Sequence, residues 1–308
     1  MNSKIRLAAL GLPLLLVAAL HLPRSPGLIP YPDPQEWAPP LWHPDPEALL
    51  VLPALDALAP DGLRTIRSKS GILADLDAGT VLWARDADTP RPVASITKIV
   101  SALALASFGA NLEQTLCVDA QLWTARPGAS SRFETGSCHS GWDFLGAALV
   151  GSDNRGAWAL PRLADRTTAD FVAQMKEVSA DLRMETAAWV DPTGIEDEDI
   201  ASPRDVLKAI VAVASHPTLS YATSAPQWAL WNEVHPRLVS TTNRLSDAYD
   251  FKAAKTGYTD AARYCFTGVV EHEGHRLAFA LLGAPTESAR FADAEALVRW
   301  ATEGRDLP

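Results

Sequence analysis

Ser95, Lys98, Ser152, Asn154, Lys255, Thr256 and Gly257 are the residues of this 308-residue chain whose types and spacing could do chemistry. They fall in three motifs: Ser-Ile-Thr-Lys at 95–98, Ser-Asp-Asn at 152–154 and Lys-Thr-Gly at 255–257. A serine hydroxyl is too weakly acidic to attack an amide unaided, and a free lysine is protonated at neutral pH. One helical turn sets the two on the same face, so a lysine whose pKa is lowered by burial and by a neighbouring cation can take the serine proton. Lys255 is the candidate for that cation. The chemistry encoded is acyl transfer through a serine ester. In isolation a Ser-x-x-Lys is ordinarily a capping serine beside a solvated lysine, and it is the joint occurrence of all three motifs, in this order, that carries the reading.

The flanking sequence predicts the elements that must position these groups. Ser95 follows the proline-containing segment 90–94 and precedes an apolar stretch, 99–108, that Gly109 closes. That pattern predicts a buried helix with Ser95 at its N-terminus, where unpaired N–H groups and the helix dipole favour negative charge. Residues 142–150 and 155–163 both read as helices, which puts 152–154 in the loop between them. Alternating segments at 72–77 and 81–84, and at 264–270 and 276–283, flank Ala78-Gly79 and Glu273-Gly274 and predict two hairpins. With the Lys255 strand they make an antiparallel sheet of about five strands. Ser202, Pro203 and Asp205 predict a helix start with a cap, a first-turn proline and an acid that reaches back. A last helix, 288–303, is expected to pack across the sheet. The architecture is α+β, with a cleft between the sheet and the helical part.

Longer stretches extend the pattern: "GILADLDAGTVLWARDADTPRPVASITKIV", "WVDPTGIEDEDIASPRDV", "STTNRL" and "KTGYTDAARYCF". From about residue 69 to residue 304 the chain resembles the D-alanyl-D-alanine carboxypeptidases, the low-molecular-mass penicillin-binding proteins of the serine peptidase type. The resemblance implies a beta-lactamase/transpeptidase-like fold with a five-stranded antiparallel sheet and a helical subdomain. It implies that Ser95 attacks the peptide carbonyl, Lys98 takes its proton and Ser152 relays a proton to the leaving amine. Asn154 would hold the substrate amide or support Lys98. Lys255 and Thr256, helped by Arg290, would bind the terminal carboxylate, and the N–H groups of Ser95 and Tyr258, beside Gly257, would form an oxyanion hole. The implied substrates are peptidoglycan stem peptides and the implied covalent inhibitors beta-lactams, with no metal and no cofactor. A cross-link-cutting DD-endopeptidase and a penicillin-binding module without turnover are the alternatives. Asp153 stands where the family usually has Gly, and Arg263 also replaces a usual Gly, placing a long cation near the cleft strand. The acidic run 196–199 reads as a solvated loop.

Nearly half the residues, 47%, are hydrophobic, enough for a sizeable core, and a net charge of −10 without a basic stripe argues against nucleic acid. Lys4 and Arg6 precede an apolar run at 7–20, too short to span a bilayer comfortably, which predicts a signal peptide or N-terminal anchor over 1–22. The run 23–62 is dense in proline and predicts a stiff tether, leaving a catalytic domain at 63–306. The expected protein is an exported monomer of the periplasm or cell envelope, touching the membrane only through that N-terminus. Of three cysteines, Cys117 and Cys138 are the expected disulfide, since Cys265 falls inside a predicted strand.

Overall fold

The computed structural model describes residue 63 and residues 65–124, 131–231 and 236–303. These lie within Tyr31–Pro308, one of two units of the chain; the other, Met1–Pro30, falls outside the described residues, as do the leader and tether expected over 1–62. Among the described residues the elements run in the order β1 (Ser70–Asp75), β2 (Thr80–Arg85), β3 (Arg91–Pro92), α1 (Thr97–Ser107), β4 (Thr115–Cys117), α2 (Ala120–Thr124), β5 (Cys138–Ser140), α3 (Gly141–Leu149), α4 (Asn154–Leu163) and α5 (Thr168–Asp181). There follow β6 (Ile200–Ala201), α6 (Pro203–Ser215), α7 (Pro217–Ser224), β7 (Gln227–Leu230), β8 (Arg237–Ser240), β9 (Asp250–Thr259), β10 (Arg263–His272), β11 (His275–Ala284) and α8 (Glu287–Glu303).

Five strands form one antiparallel sheet in the order β2-β1-β11-β10-β9, as the two hairpins and the Lys255 strand predict. Successive side chains of a strand point to opposite faces. On β11, Leu277, Phe279 and Leu281 therefore enter one core while Ala278, Ala280 and Leu282 enter the other. Both faces are covered, which is why this strand is apolar almost throughout. The first core is closed by α8 through Phe291, Ala294, Leu297, Val298 and Ala301, matching the expected terminal helix. The second holds the remaining helices, with α6 lying on β1, β9, β10 and β11.

At the centre of that second core is α1, ten of whose eleven residues are buried. Its small residues, Ala102, Ala104 and Ala106, let α3, α4, α5 and α6 approach it from all sides. Ser202 caps α6 by accepting from Asp205 N at 3.2 Å, with Pro203 in the first turn. The Asp205 carboxylate does not reach back as the motif predicts; it accepts from Thr186 N at 2.9 Å and Thr186 Oγ1 at 2.6 Å, tying the preceding loop to this helix. Cys117 and Cys138 face each other across β4 and β5 and form the expected disulfide, while Cys265 is buried in β10.

Candidate active site

The nucleophile turn differs slightly from the predicted helix start. Ala94, Ser95 and Ile96 form a single 3-10 turn that feeds α1 at Thr97, with Ala94 in the left-handed region at φ 51°. A non-glycine residue at positive φ costs of order 1 kcal/mol or more and persists only where packing enforces it. Two glycines do so. A Cβ on Gly194 would lie 1.9 Å from Ala94 O, and one on Gly257 would lie 2.7 Å from Val93 O and 3.1 Å from Ser95 N. The missing side chains let a loop and strand β9 close on the turn from two directions.

Lys98, the first-turn lysine of α1, is fully buried. Its Nζ lies 2.7 Å from Ser95 Oγ, 2.8 Å from Asn154 Oδ1 and 2.7 Å from Thr193 O. Burial lowers its pKa to about 7, against the carboxylates of Asp191, Asp153 and Asp199, which act in the opposite direction. Lys255 is the expected neighbouring cation, and the repulsion between the two ammonium groups acts on both. Lys255, also buried, has a pKa held well below the usual lysine value, by burial first and then by Lys98 and Arg290.

Asn154 opens α4, and Ser152 precedes it at φ 56°. The residue between them, Asp153, explains its own departure from glycine. Its carboxylate caps α4 through Arg155 N at 2.9 Å and Gly156 N at 3.2 Å, and also receives Ser131 Oγ at 3.0 Å and Arg132 N at 2.8 Å. That network holds the strained serine where Ser152 Oγ accepts from Lys255 Nζ at 2.8 Å. Thus Ser95, Lys98 and Asn154 form one hydrogen-bonded group and Ser152 with Lys255 a second, and Ser95, Ser152 and Asn154 line the same cleft.

Thr256 Oγ1 meets Thr242 Oγ1 at 2.7 Å, and a cleft of about 630 Å³ runs past Ser95, Ser152, Asn154, Gly194, Thr242, Arg244, Thr256, Gly257, Tyr258 and Arg290. Tyr258 is 45% exposed at its rim, its hydroxyl donating to Asp260 Oδ1 at 2.8 Å. Arg290 is 5% exposed and committed: Nη1 donates to Gly257 O at 3.1 Å, Nη2 reaches Glu287 Oε1 at 3.3 Å, and the Tyr264 and Phe291 rings flank it. It therefore braces β9 at the cleft end. The exposed cation there is Arg244, paired with Glu287 Oε2 at 2.7 Å. Arg263 lies outside the cleft lining; it turns the chain between β9 and β10 at φ 59° and donates to Pro285 O at 3.1 Å.

The motifs did not reveal Thr193, Asp191, Thr242 and Arg244. The last two stand in "STTNRL", a stretch already noted for its resemblance, and their neighbourhood to Thr256 is the signal that could have found them. The run 196–199 is only partly a solvated loop: Asp197 and Glu198 are exposed but Asp199 is fully buried.

The sequence profile of the family described as D-alanyl-D-alanine carboxypeptidase matches residues 56–286. The chain belongs to that family of serine DD-peptidases. A D-alanyl-D-alanine endopeptidase of Escherichia coli (strain K12) is 28% identical over 247 residues, 79% of this chain and 80% of the relative. The crystal structure of a D-alanyl-D-alanine carboxypeptidase from Mycobacterium tuberculosis H37Rv superposes with a TM-score of 0.71 at 25% identity, covering 82% of this chain and 95% of that one. Penicillin-binding protein D2 from Listeria monocytogenes, in its ampicillin-bound form, gives a TM-score of 0.67 at 25% identity, covering 76% of this chain and 97% of that one. The fold is that of the penicillin-binding DD-peptidases. Both a carboxypeptidase and an endopeptidase thus stand among the relatives of this family member.

Proposed function

We propose that this chain is a D-Ala-D-Ala carboxypeptidase that removes the terminal D-alanine of peptidoglycan stem peptides through an acyl-Ser95 intermediate. The observation that carries the reading is the set of three acceptors around Lys98 Nζ. A neutral amine has two N–H bonds and one lone pair. With Asn154 Oδ1 and Thr193 O taking the two hydrogens, the lone pair is left for the Ser95 hydroxyl, and the amine is poised to accept its proton near neutrality. Ser95 Oγ then attacks the penultimate carbonyl, and the N–H groups of Ser95 and Tyr258 receive the developing oxyanion, worth about 3 kcal/mol per donor. The proton taken by Lys98 passes through Ser152, which Lys255 holds, to the departing amine as the C–N bond breaks, and water then hydrolyses the acyl ester. Lys255, Thr256 and Thr242 receive the terminal carboxylate, with Arg290 holding β9 in place. The same acylation makes beta-lactams covalent inhibitors.

A second reading, cleavage of the peptide bridge between stem peptides, is favoured by the E. coli relative named as an endopeptidase. Incubation with a stem pentapeptide and with a cross-linked dimer, read by mass spectrometry, separates the two. Steady release of single D-alanine supports the carboxypeptidase; loss of the bridge without it supports the endopeptidase; labelling by penicillin with turnover of neither supports a binding module. The segments 1–22 and 23–62 fit export and tethering of the 63–306 domain to the envelope, where peptidoglycan lies.

A further inference from the structure

The turn that receives Lys98 is built on two buried carboxylates. Asp191 Oδ1 accepts from Thr193 N, from Thr193 Oγ1 at 2.6 Å and from Gly194 N at 3.0 Å, and its Oδ2 accepts from Glu196 N at 3.1 Å. This fixes the Thr193 carbonyl on the Lys98 amine. Asp199 is different. It accepts through Oδ1 from Val190 N at 2.7 Å and Asp191 N at 3.4 Å, but its Oδ2 is buried without a hydrogen-bond partner. Burial first, and then the Asp191 charge, push its pKa up to about 7. Placing a second carboxylate beside Asp191 is unfavourable for folding, and the turn's own hydrogen bonds do not need Oδ2.

The charges that face Lys98 are Asp191 and Asp199 from this loop, Asp153 from the start of α4, and Lys255 from β9. Asp153 is engaged in capping α4, and Lys255 in holding Ser152. Resting on the reading of Lys98 as the proton acceptor, we propose that Asp191 and Asp199 are positioning residues for Lys98: Asp191 shapes the 193–194 turn that holds the amine, and Asp199 governs how firmly the amine keeps its proton. While Asp199 is ionised its field favours the ammonium form; once it is neutral the amine gives up its proton more readily. The two charges interact, so the proton equilibrium of each depends on the other.

The test is the acylation rate of the full chain by a fluorescent penicillin from pH 5 to 9. Asp199→Asn keeps the size and the Oδ1 acceptor but removes the charge, so the acidic limb moves to lower pH by about half a unit or more, with the alkaline plateau within about threefold of wild type. Asp191→Asn moves the limb the same way, whereas Asp191→Ala, which also removes the acceptors of the turn, lowers the plateau about tenfold or more. A folded Asp199→Asn variant whose limb stays in place overturns the role of Asp199, because a merely structural residue alters stability and not the limb. If that variant does not fold, 13C NMR of lysine-labelled wild type decides: two inflections in the Lys98 titration support the coupling and a single one overturns it. Ser95→Ala in the same assay reports on the underlying reading separately; labelling abolished there, with the Asp199→Asn limb unmoved, leaves the reading standing and removes this inference.

Discussion

Two buried lysines stand behind the two serines of the cleft, on opposite walls. Lys98, on the helical wall, touches Ser95 and is surrounded by oxygen: Asn154, the Thr193 carbonyl, and the carboxylates of Asp191, Asp153 and Asp199. Lys255, on the sheet wall, touches Ser152 and the Thr256 carbonyl, and the charges that act on it are the cations Lys98 and Arg290. A buried amine ringed by acceptors and balanced near pH 7 is suited to move a proton. One that sits among other cations, with no carboxylate paired to it among the described residues, gains most when an anion arrives from outside. The same side chain is suited to two different roles because the groups around it differ.

The contrast breaks most visibly at Lys98. Lys98→Arg keeps the positive charge but cannot release a proton at neutral pH, so acylation by penicillin is expected to fall about 10³-fold, as far as in Lys98→Ala; stopped-flow labelling rates measure this. Lys255→Ala should cost roughly 2 kcal/mol or more, about 30-fold in kcat/KM for a peptide with a free terminal carboxylate, and Lys255→Arg should recover part of it. Amidation of the substrate carboxylate should then hurt wild type more than Lys255→Ala. Across the pH range, the wild-type acylation rate should rise with pH through about 7 as Lys98 loses its proton, and a rate that falls over that interval would remove Lys98 as the base. The smallest effect belongs to Thr242→Ala, which removes the hydroxyl 2.7 Å from Thr256 Oγ1 and should raise KM about threefold to tenfold with little change in kcat.

The helical wall was the more legible of the two in the sequence. Ser95 and Lys98 lie one turn apart, and the apolar run closed by Gly109 announced α1 without knowledge of the fold; Gly109 indeed takes φ 61° after the helix. The hairpins were equally local, since the alternation and the turn glycine of each lie in one contiguous stretch of chain. What the sequence did not disclose is held by contacts distant along the chain. Thr193 O reaches Lys98 across 95 residues, and Arg290 Nη1 reaches Gly257 O across 33. Its sequence position gave no sign that Arg290, while lining the cleft, also holds the Gly257 carbonyl and Glu287. The burial of Asp199 was hidden for a related reason: in "GIEDEDIAS" its acidic neighbours point to solvent, and only the folded loop turns this one inward.

The central claim is that the Ser95 hydroxyl, deprotonated by Lys98, forms the covalent ester. Peptide mapping by mass spectrometry after reaction with penicillin tests it most directly. A single adduct on Ser95 in wild type, lost in Ser95→Ala, is the predicted result; an adduct on another residue, or undiminished labelling of Ser95→Ala, would contradict it.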